Sequence, residues 1–547
     1  MPDESPSLAA AGVVGLGTMG AGIVEVFARA GIAVTGVDVT DDAVALGRAH
    51  LERSTGRAVS RGRLAEEDRT ALLRCVRLSS RLEDLAAADI VVEAVPERLS
   101  LKQEVFARLD AVCGPAALLA TNTSSLSVTR LAAGTKRPER VVGMHFFNPA
   151  PVMRLVEVVT TVVTDPAASR RARLVAEGLG KTPVVVTDRA GFVANALLFG
   201  YLNQAVGLFA TGHVGRDDLD AAMTLGAGLP MGPLALLDLV GLDVAVDILE
   251  TMYAESGNRL HAADPLLRQL VAAGRLGRKT GRGFYDYADD ADDADDADDA
   301  DKAGEQASRD RPGAAAVERM VVVGDSPDAT ALAAAAQGRL GVRQVPSASP
   351  RLADELSDCG LVVASADDPL DVLGASVPAG AVLALLPGSR PLAVDAARTG
   401  RAGDVVGVHV SDAPTPRLVE VVRVVTSSPG AVDTAVATMS RLGLHPVVCA
   451  DRAGRVVDRL LAAQLGDAVR MVGSGYAGAD DVDAAMTAGC GYPDGPIALV
   501  DRLGPGRLLA VLESLHAETA EPGHMPPALL RQVVAAGRGV RAGTAGG

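Results

Sequence analysis

The chain lacks tryptophan, and only 3% of its 547 residues are aromatic. Surfaces that stack single-stranded bases are built from such rings, so that class of function is not expected. Positive charge is also scarce. With 52 Lys and Arg against 68 Asp and Glu, the net charge is −16, which argues against nucleic-acid partners. Much of that charge is local, in the Asp-rich stretch Asp289–Asp301. Five cysteines (Cys75, Cys113, Cys359, Cys449, Cys490) are scattered and form no CxxC pair. A disulfide framework or a zinc site is therefore not expected, and a reducing compartment fits. No apolar run reaches the roughly 18 residues of a membrane span, and the opening MPDESPS has no apolar signal core. The expectation is a cytoplasmic chain without membrane contact. Apolar residues, in contrast, are abundant at 48%. That excludes global disorder, and the length predicts about three to five domains.

The sequence repeats itself. Asp188–Asp238 begins DRAGFVANALL and ends GPLALLD; Asp451–Asp501 begins DRAGRVVDRLL and ends GPIALVD. More than half of these positions are identical without a gap. Upstream, VVGMH at Val141–His145 pairs with VVGVH at Val405–His409, and RLVEVV occurs at both Arg154–Val159 and Arg417–Val422. A tandem duplication follows. Each copy divides again. Residues 8–187 alternate β-branched runs (Gly12–Gly15, Ile32–Val39, Ile90–Ala94, Leu118–Thr121, Val141–His145, Val184–Thr187) with helical patterns, which predicts a parallel α/β sheet. Residues 188–287 show helical spacing only. Ala-Asp-Asp triplets then open a linker, 288–317, whose dense like charge favours an extended, solvated chain. The degenerate second copy divides into 318–450 and 451–547.

Gly15-Leu16-Gly17-Thr18-Met19-Gly20 follows the first apolar strand and opens a helix, and the next strand ends at Asp38. Gly15 permits a tight turn, Gly17 lets backbone approach a pyrophosphate, and Gly20 allows close packing. Helix-start N–H groups, here from Thr18 and Met19, favour an anion. The Asp38 carboxylate suits ribose hydroxyls and repels a 2′-phosphate, and Val39-Thr40 supplies no arginine. These residues predict NAD rather than NADP.

Two further blocks, ATNTSSLS at Ala120–Ser127 and MHFFNPAPVMRLVE at Met144–Glu157, resemble the L-3-hydroxyacyl-CoA dehydrogenase family. The resemblance spans about 10–287, through GFVANALL to the closing GRKTGRGFYDY. It implies a Rossmann-type sheet with an all-α domain behind it, and an acyl-CoA thioester substrate. It places the catalytic residues on Ser124, His145, Glu157 and Asn195. The chemistry is coherent. An imidazole can take the 3-hydroxyl proton while hydride leaves C3. A carboxylate holds the imidazole's tautomer, and a serine and an amide can bind the reacting oxygen. Read singly, His145 could be a core histidine, Asn195 a helix cap and Ser124 a turn residue. The resemblance also sets Glu97 and Lys102 beside the nicotinamide ribose, where a surface ion pair is the alternative. On the arm 43–80 it sets Ser54 toward coenzyme A; Arg61, where the family commonly has Lys, could meet a phosphate, Arg57 is a neighbouring candidate, and a solvated arginine face is the alternative.

The second copy departs from this pattern. Its glycine loop reads Val323-Gly324-Asp325-Ser326-Pro327-Asp328, with carboxylates where phosphates would sit. The strand Gly341–Val345 has no terminal Asp, Gly388 stands for Ser124, and Asp458 for Asn195. His409 and Glu420 survive one residue closer together, and the coenzyme A arm is missing. A pseudo-enzyme half is expected. The chain should be a monomer with an internal pseudo-dimer, or a homodimer. The expected activity is NAD-dependent oxidation of (S)-3-hydroxyacyl-CoA, with 3-hydroxybutyryl-CoA as the first substrate and 3-hydroxyadipyl-CoA as the alternative. Two rivals remain open: a free β-hydroxyacid dehydrogenase, which would use a lysine and lack HFFNP, and an inert NAD-binding scaffold.

Overall fold

In the computed structural model, residues 8–287, 316–410 and 417–544 are described, so nearly all of the acidic linker lies outside the described residues. The first copy forms an eight-stranded sheet from β1 (Ala10–Val14), β2 (Ala33–Val37), β3 (Val76–Ser79), β4 (Ile90–Glu93), β5 (Leu118–Thr121), β6 (Val141–Phe146), β7 (Leu155–Thr160) and β8 (Thr182–Thr187). Their spatial order is β3-β2-β1-β4-β5-β6-β7-β8. The runs at β4, β5 and β6 are apolar almost throughout because helices cover both faces and bury every residue.

Two strands were not anticipated. Val76–Ser79 is a half-buried edge strand, too polar to stand out. Leu155–Thr160, which carries Glu157, is buried and runs antiparallel to β6, so the sheet is not wholly parallel as expected. The connection dictates this. Residues 147–154 are too few for a parallel crossover, which needs about a dozen residues or more.

The second copy repeats the sheet with seven strands: β9 (Arg319–Val323), β10 (Gly341–Val345), β11 (Leu361–Ser365), β12 (Val382–Leu386), β13 (Val405–Val410), β14 (Leu418–Arg423) and β15 (His445–Ala450), in the order β10-β9-β11-β12-β13-β14-β15. Among the described residues the edge position held by β3 has no counterpart, as the shorter connection requires.

The helical lobes exchange partners. Helix Ala194–Ala210 of the first copy packs against helix Val457–Gly473 of the second. Each lobe also covers the other copy's sheet. Val482, Ala485 and Met486 share a core with Leu155, Val159, Val184 and Val186. Leu219, Ala222 and Met223 share a core with Leu418, Val422, Val447 and Cys449. At roughly 1.5–3 kcal/mol for each large apolar side chain buried, this contact holds the two copies together. Gly489 is needed at the crossing, because a Cβ there would collide with Leu155. The sequence pointed to contact between the lobes; coverage of the opposite sheet was not foreseen.

His213 sits at this junction. Its Nε2 meets the Arg455 carbonyl at 2.8 Å, and its own carbonyl accepts from Ala450 N–H at 2.8 Å. Burial, only partly offset by the Arg455 carbonyl, lowers its pKa from 6.5 to about 4. Between those two values the folded protein holds it neutral while the unfolded chain binds a proton. Its contribution is present above 6.5 and is lost as pH falls toward 4. His213→Asn should lower Tm at neutral pH, and the gap to the parent should narrow between pH 6.5 and 4. A gap independent of pH in thermal melts contradicts the assignment.

Candidate active site

The site forms at the carboxyl ends of β1, β4, β5 and β6, the edge where parallel sheets hold ligands. The glycine loop leaves β1 and opens helix Thr18–Arg29. Gly15 has φ +91°, open to glycine at little cost. A Cβ on Gly20 would strike the Gly15 carbonyl oxygen, so the close approach is within the loop itself. A Cβ on Gly17 would meet nothing within 4 Å, and the helix has no side-chain cap. Uncapped N–H donors facing open space fit a dinucleotide phosphate. Asp38 lies against the same loop, accepting from Leu16 N–H at 2.7 Å and Val39 N–H at 2.7 Å.

Lys102 is 1% exposed, so its ion pair with Glu97 is a buried one at the lysine end. Its Nζ lies 2.7 Å from Glu93 Oε1 and 3.2 Å from Glu97 Oε2. Glu93 was missed. A carboxylate ending the buried run Ile90–Glu93 required a cation, and that was the available signal. Glu97 Oε1 accepts from Thr123 Oγ1 at 2.5 Å and from Ser124 N–H at 3.0 Å. Burial raises its pKa, but Lys102 and these donors outweigh it, and the net value falls below the ordinary one. Lys102 thus reaches the Ser124 loop through Glu97.

His145 and Glu157 face each other across β6 and β7. His145 Nδ1 lies 2.8 Å from Glu157 Oε2, with Glu157 fully buried. Glu157 Oε1 accepts from Val193 N–H and Ala194 N–H, both at 3.0 Å, and so anchors helix Ala194–Ala210. An acceptor-only carboxylate assigns the proton to Nδ1 and leaves Nε2 with its lone pair. Among the described residues nothing hydrogen-bonds Nε2. Phe147 and Phe192 flank the ring, with centroids 4.4 Å and 5.7 Å away. Asn195 is not a cap; Val193 holds the N-cap position without a side-chain bond. Asn195 is 8% exposed and lies two residues beyond the Val193 N–H on Glu157. Neither its amide nor the Ser124 hydroxyl bonds a described residue, His145 included.

Asn122 and Asp188 were also missed. Asn122 Oδ1 accepts from Phe146 N–H at 2.8 Å, fixing the end of β6. Asp188 accepts from Ser127 Oγ at 2.8 Å and Thr129 N–H at 2.7 Å, fixing the segment after Ser124. Its repetition as Asp451 was the sequence signal. Ser54 and Arg57 lie on helix Asp41–Ser60 with Arg61 at its C-cap, a spacing that sets them along one helix edge. No helix among the described residues is long and apolar enough to cross a membrane.

The second copy's corresponding site is filled. Arg455, which replaces Phe192, is 3% exposed. Its guanidinium donates to the Gly388 carbonyl at 2.6 Å and to Asp458 Oδ2 at 2.7 Å, and lies 3.5 Å from Glu420. Those are the positions of Ser124, Asn195 and Glu157. His409 and Glu420 still pair across β13 and β14, so the shorter spacing kept their register. His409 Nδ1, however, lies 3.3 Å from Asp328.

Known proteins match this layout. The family model for the 3-hydroxyacyl-CoA dehydrogenase NAD binding domain matches residues 10–189 and 370–452, and that for the C-terminal domain matches 191–287 and 454–547. The second NAD-binding match begins beyond β9 and β10, and so omits the degenerate glycine loop. A 3-hydroxybutyryl-CoA dehydrogenase from Mycobacterium tuberculosis is 46% identical over 285 residues, 52% of this chain and 100% of its own. A 3-hydroxyadipyl-CoA dehydrogenase from Escherichia coli is 33% identical over 521 residues, covering 95% of this chain and 96% of its own. A solved structure of 3-hydroxybutyryl-CoA dehydrogenase from Escherichia coli superposes with TM-score 0.76 at 29% identity, covering 97% of this chain and 99% of that one.

Proposed function

Because this chain belongs to the 3-hydroxyacyl-CoA dehydrogenase family, we propose that its first copy oxidises (S)-3-hydroxyacyl-CoA to 3-oxoacyl-CoA with NAD. The buried His145–Glu157 pair carries this reading, because it leaves one imidazole nitrogen available as a base. NAD, when bound on the glycine loop with Asp38 at its ribose, supplies the acceptor for the hydride from C3. His145 Nε2 takes the hydroxyl proton as the C3–O bond becomes a carbonyl. Glu157 orients the ring and stabilises the cation that forms. Ser124 and Asn195 hold the substrate oxygen at His145. Glu97 and Lys102 shape the nicotinamide side, and Ser54, Arg57 and Arg61 meet coenzyme A.

Residues 8–187 and 188–287 form the working unit, the linker 288–317 joins it to the silent unit 318–450 and 451–547, and one chain serves as its own dimer. Light scattering should find a monomer; a homodimer joined through first-copy lobes contradicts this. 3-Hydroxybutyryl-CoA is the proposed substrate. A relative matching both copies, named 3-hydroxyadipyl-CoA dehydrogenase, supports 3-hydroxyadipyl-CoA as the second reading.

The test is acetoacetyl-CoA reduction, followed as loss of NADH, with NADPH in parallel. NADH turnover with little from NADPH is expected from Asp38. A folded protein inactive on both acetoacetyl-CoA and 3-oxoadipyl-CoA overturns the proposal in favour of an NAD-binding scaffold.

A further inference from the structure

The loop between β6 and β7, residues 147–154, begins at the catalytic histidine and ends before the strand of its glutamate. Asn122 fixes its first end. The other end is held by Lys181, which lies in the turn after helix Pro166–Gly178. Lys181 Nζ donates to the Ala150 carbonyl at 2.6 Å and the Met153 carbonyl at 2.8 Å. Between them the loop rests on the glycine-loop helix: a Cβ on Gly22 would meet Ala150 at 3.3 Å and Pro151 at 3.4 Å. Two charge-assisted bonds thus hold the Ala150–Met153 stretch of this loop where it rests on the dinucleotide helix. Burial and the nearby Arg29, countered by Glu25, lower the ammonium to about 8, so the charge is present at neutral pH.

The duplication provides an internal control. The silent copy keeps the carboxylates that hold its fold. Glu420 accepts from Val456 and Val457 as Glu157 does from Val193 and Ala194. Asp483 accepts from Ile497 and Ala498 as Asp220 does from Leu234 and Ala235. Asp451 accepts from Leu392 as Asp188 does from Val128 and Thr129. It has lost Ser124, Asn195 and Asp38. At the position of Lys181, in the matching turn Gly443-Leu444-His445-Pro446, it has Leu444, which cannot donate. Lys181 is thus lost together with Ser124, Asn195 and Asp38, while His409 stays at the place of His145.

We infer that Lys181 is a positioning residue for the reaction, one that clamps the catalytic loop against the dinucleotide helix. The inference rests on the role proposed for His145. In the full chain, Lys181→Met should lower kcat for acetoacetyl-CoA reduction by about tenfold to a hundredfold. The Kd for NADH, read by fluorescence titration, should stay within about twofold, because the loop is not the pyrophosphate site. Lys181→Arg should recover most of kcat, because it restores donors and charge. Three outcomes overturn the inference: a folded Lys181→Met with parental kcat, a Lys181→Arg no better than Met, or kcat and NADH affinity falling together with Tm. Should Lys181→Met not fold, Lys181→Gln replaces it, and Arg must exceed Gln in kcat. His145→Ala is measured alongside: if it remains active the catalytic reading fails, whereas a parental Lys181→Met beside an inactive His145→Ala sinks the clamp alone.

Discussion

His145→Ala, made in the full chain, is expected to lower turnover by about 10²–10⁴, the usual worth of a positioned general base. NADH affinity should persist, because the glycine loop and Asp38 follow β1 and β2 and share no hydrogen bond with His145. The duplication supplies the matched comparison. His409 holds the same place on β13 but lies at 3.3 Å from Asp328, beside a guanidinium that fills the pocket. His409→Ala should leave turnover near the parent level while lowering Tm. Steady-state rates of the two variants decide the matter. Equal losses, or a larger loss from His409→Ala, assign the chemistry to the wrong copy.

Glu157→Gln should cost as much, through a different cause. Glu157 Oε1 accepts two N–H bonds from Val193 and Ala194, so the amide oxygen of a glutamine must take that side. Its NH₂ then faces His145 Nδ1, which can only accept. The imidazole proton moves to Nε2, where the substrate hydroxyl needs a lone pair. A fall in kcat of about 10³–10⁴ is expected, the scale of the same exchange in a serine-protease triad. The anchor on helix Ala194–Ala210 survives in this variant, so it should fold. Glu157→Ala removes both bonds and exposes two buried N–H groups, at about 1–3 kcal/mol each. Turnover and thermal melts of both variants test the claim: a Gln variant with parental kcat contradicts the tautomer argument.

Much of this was legible in the sequence because the residues came as ordered blocks. A strand, a glycine loop, a helix and an acidic strand end determine one another by spacing, and the site subsequently formed at that sheet edge. HFFNP with its downstream glutamate placed His145 and Glu157 without showing what joined them. The antiparallel register that sets them opposite each other depends on β7, whose run RLVEVV served only as a mark of the repeat. Residues that act through others were the least visible. Glu93 ends an apolar strand and its partner Lys102 lies on the next helix, so neither explains the other in one dimension. Arg455 differs from Phe192 by one substitution, and only the fold shows its guanidinium filling the second copy's pocket. The exchange of lobes was hidden for the same reason, since cores that join β7 to Met486 cross most of the chain.

The central claim is that one of two like-folded halves binds the dinucleotide and does the chemistry. The most direct measurement is the stoichiometry of NADH binding to the full chain by calorimetric titration. The account predicts one NADH for each 547-residue chain, lost when Gly17 in the first glycine loop is made bulky and unchanged when Ser326 in the second is. Two NADH per chain, or binding that survives the change at Gly17, would contradict it.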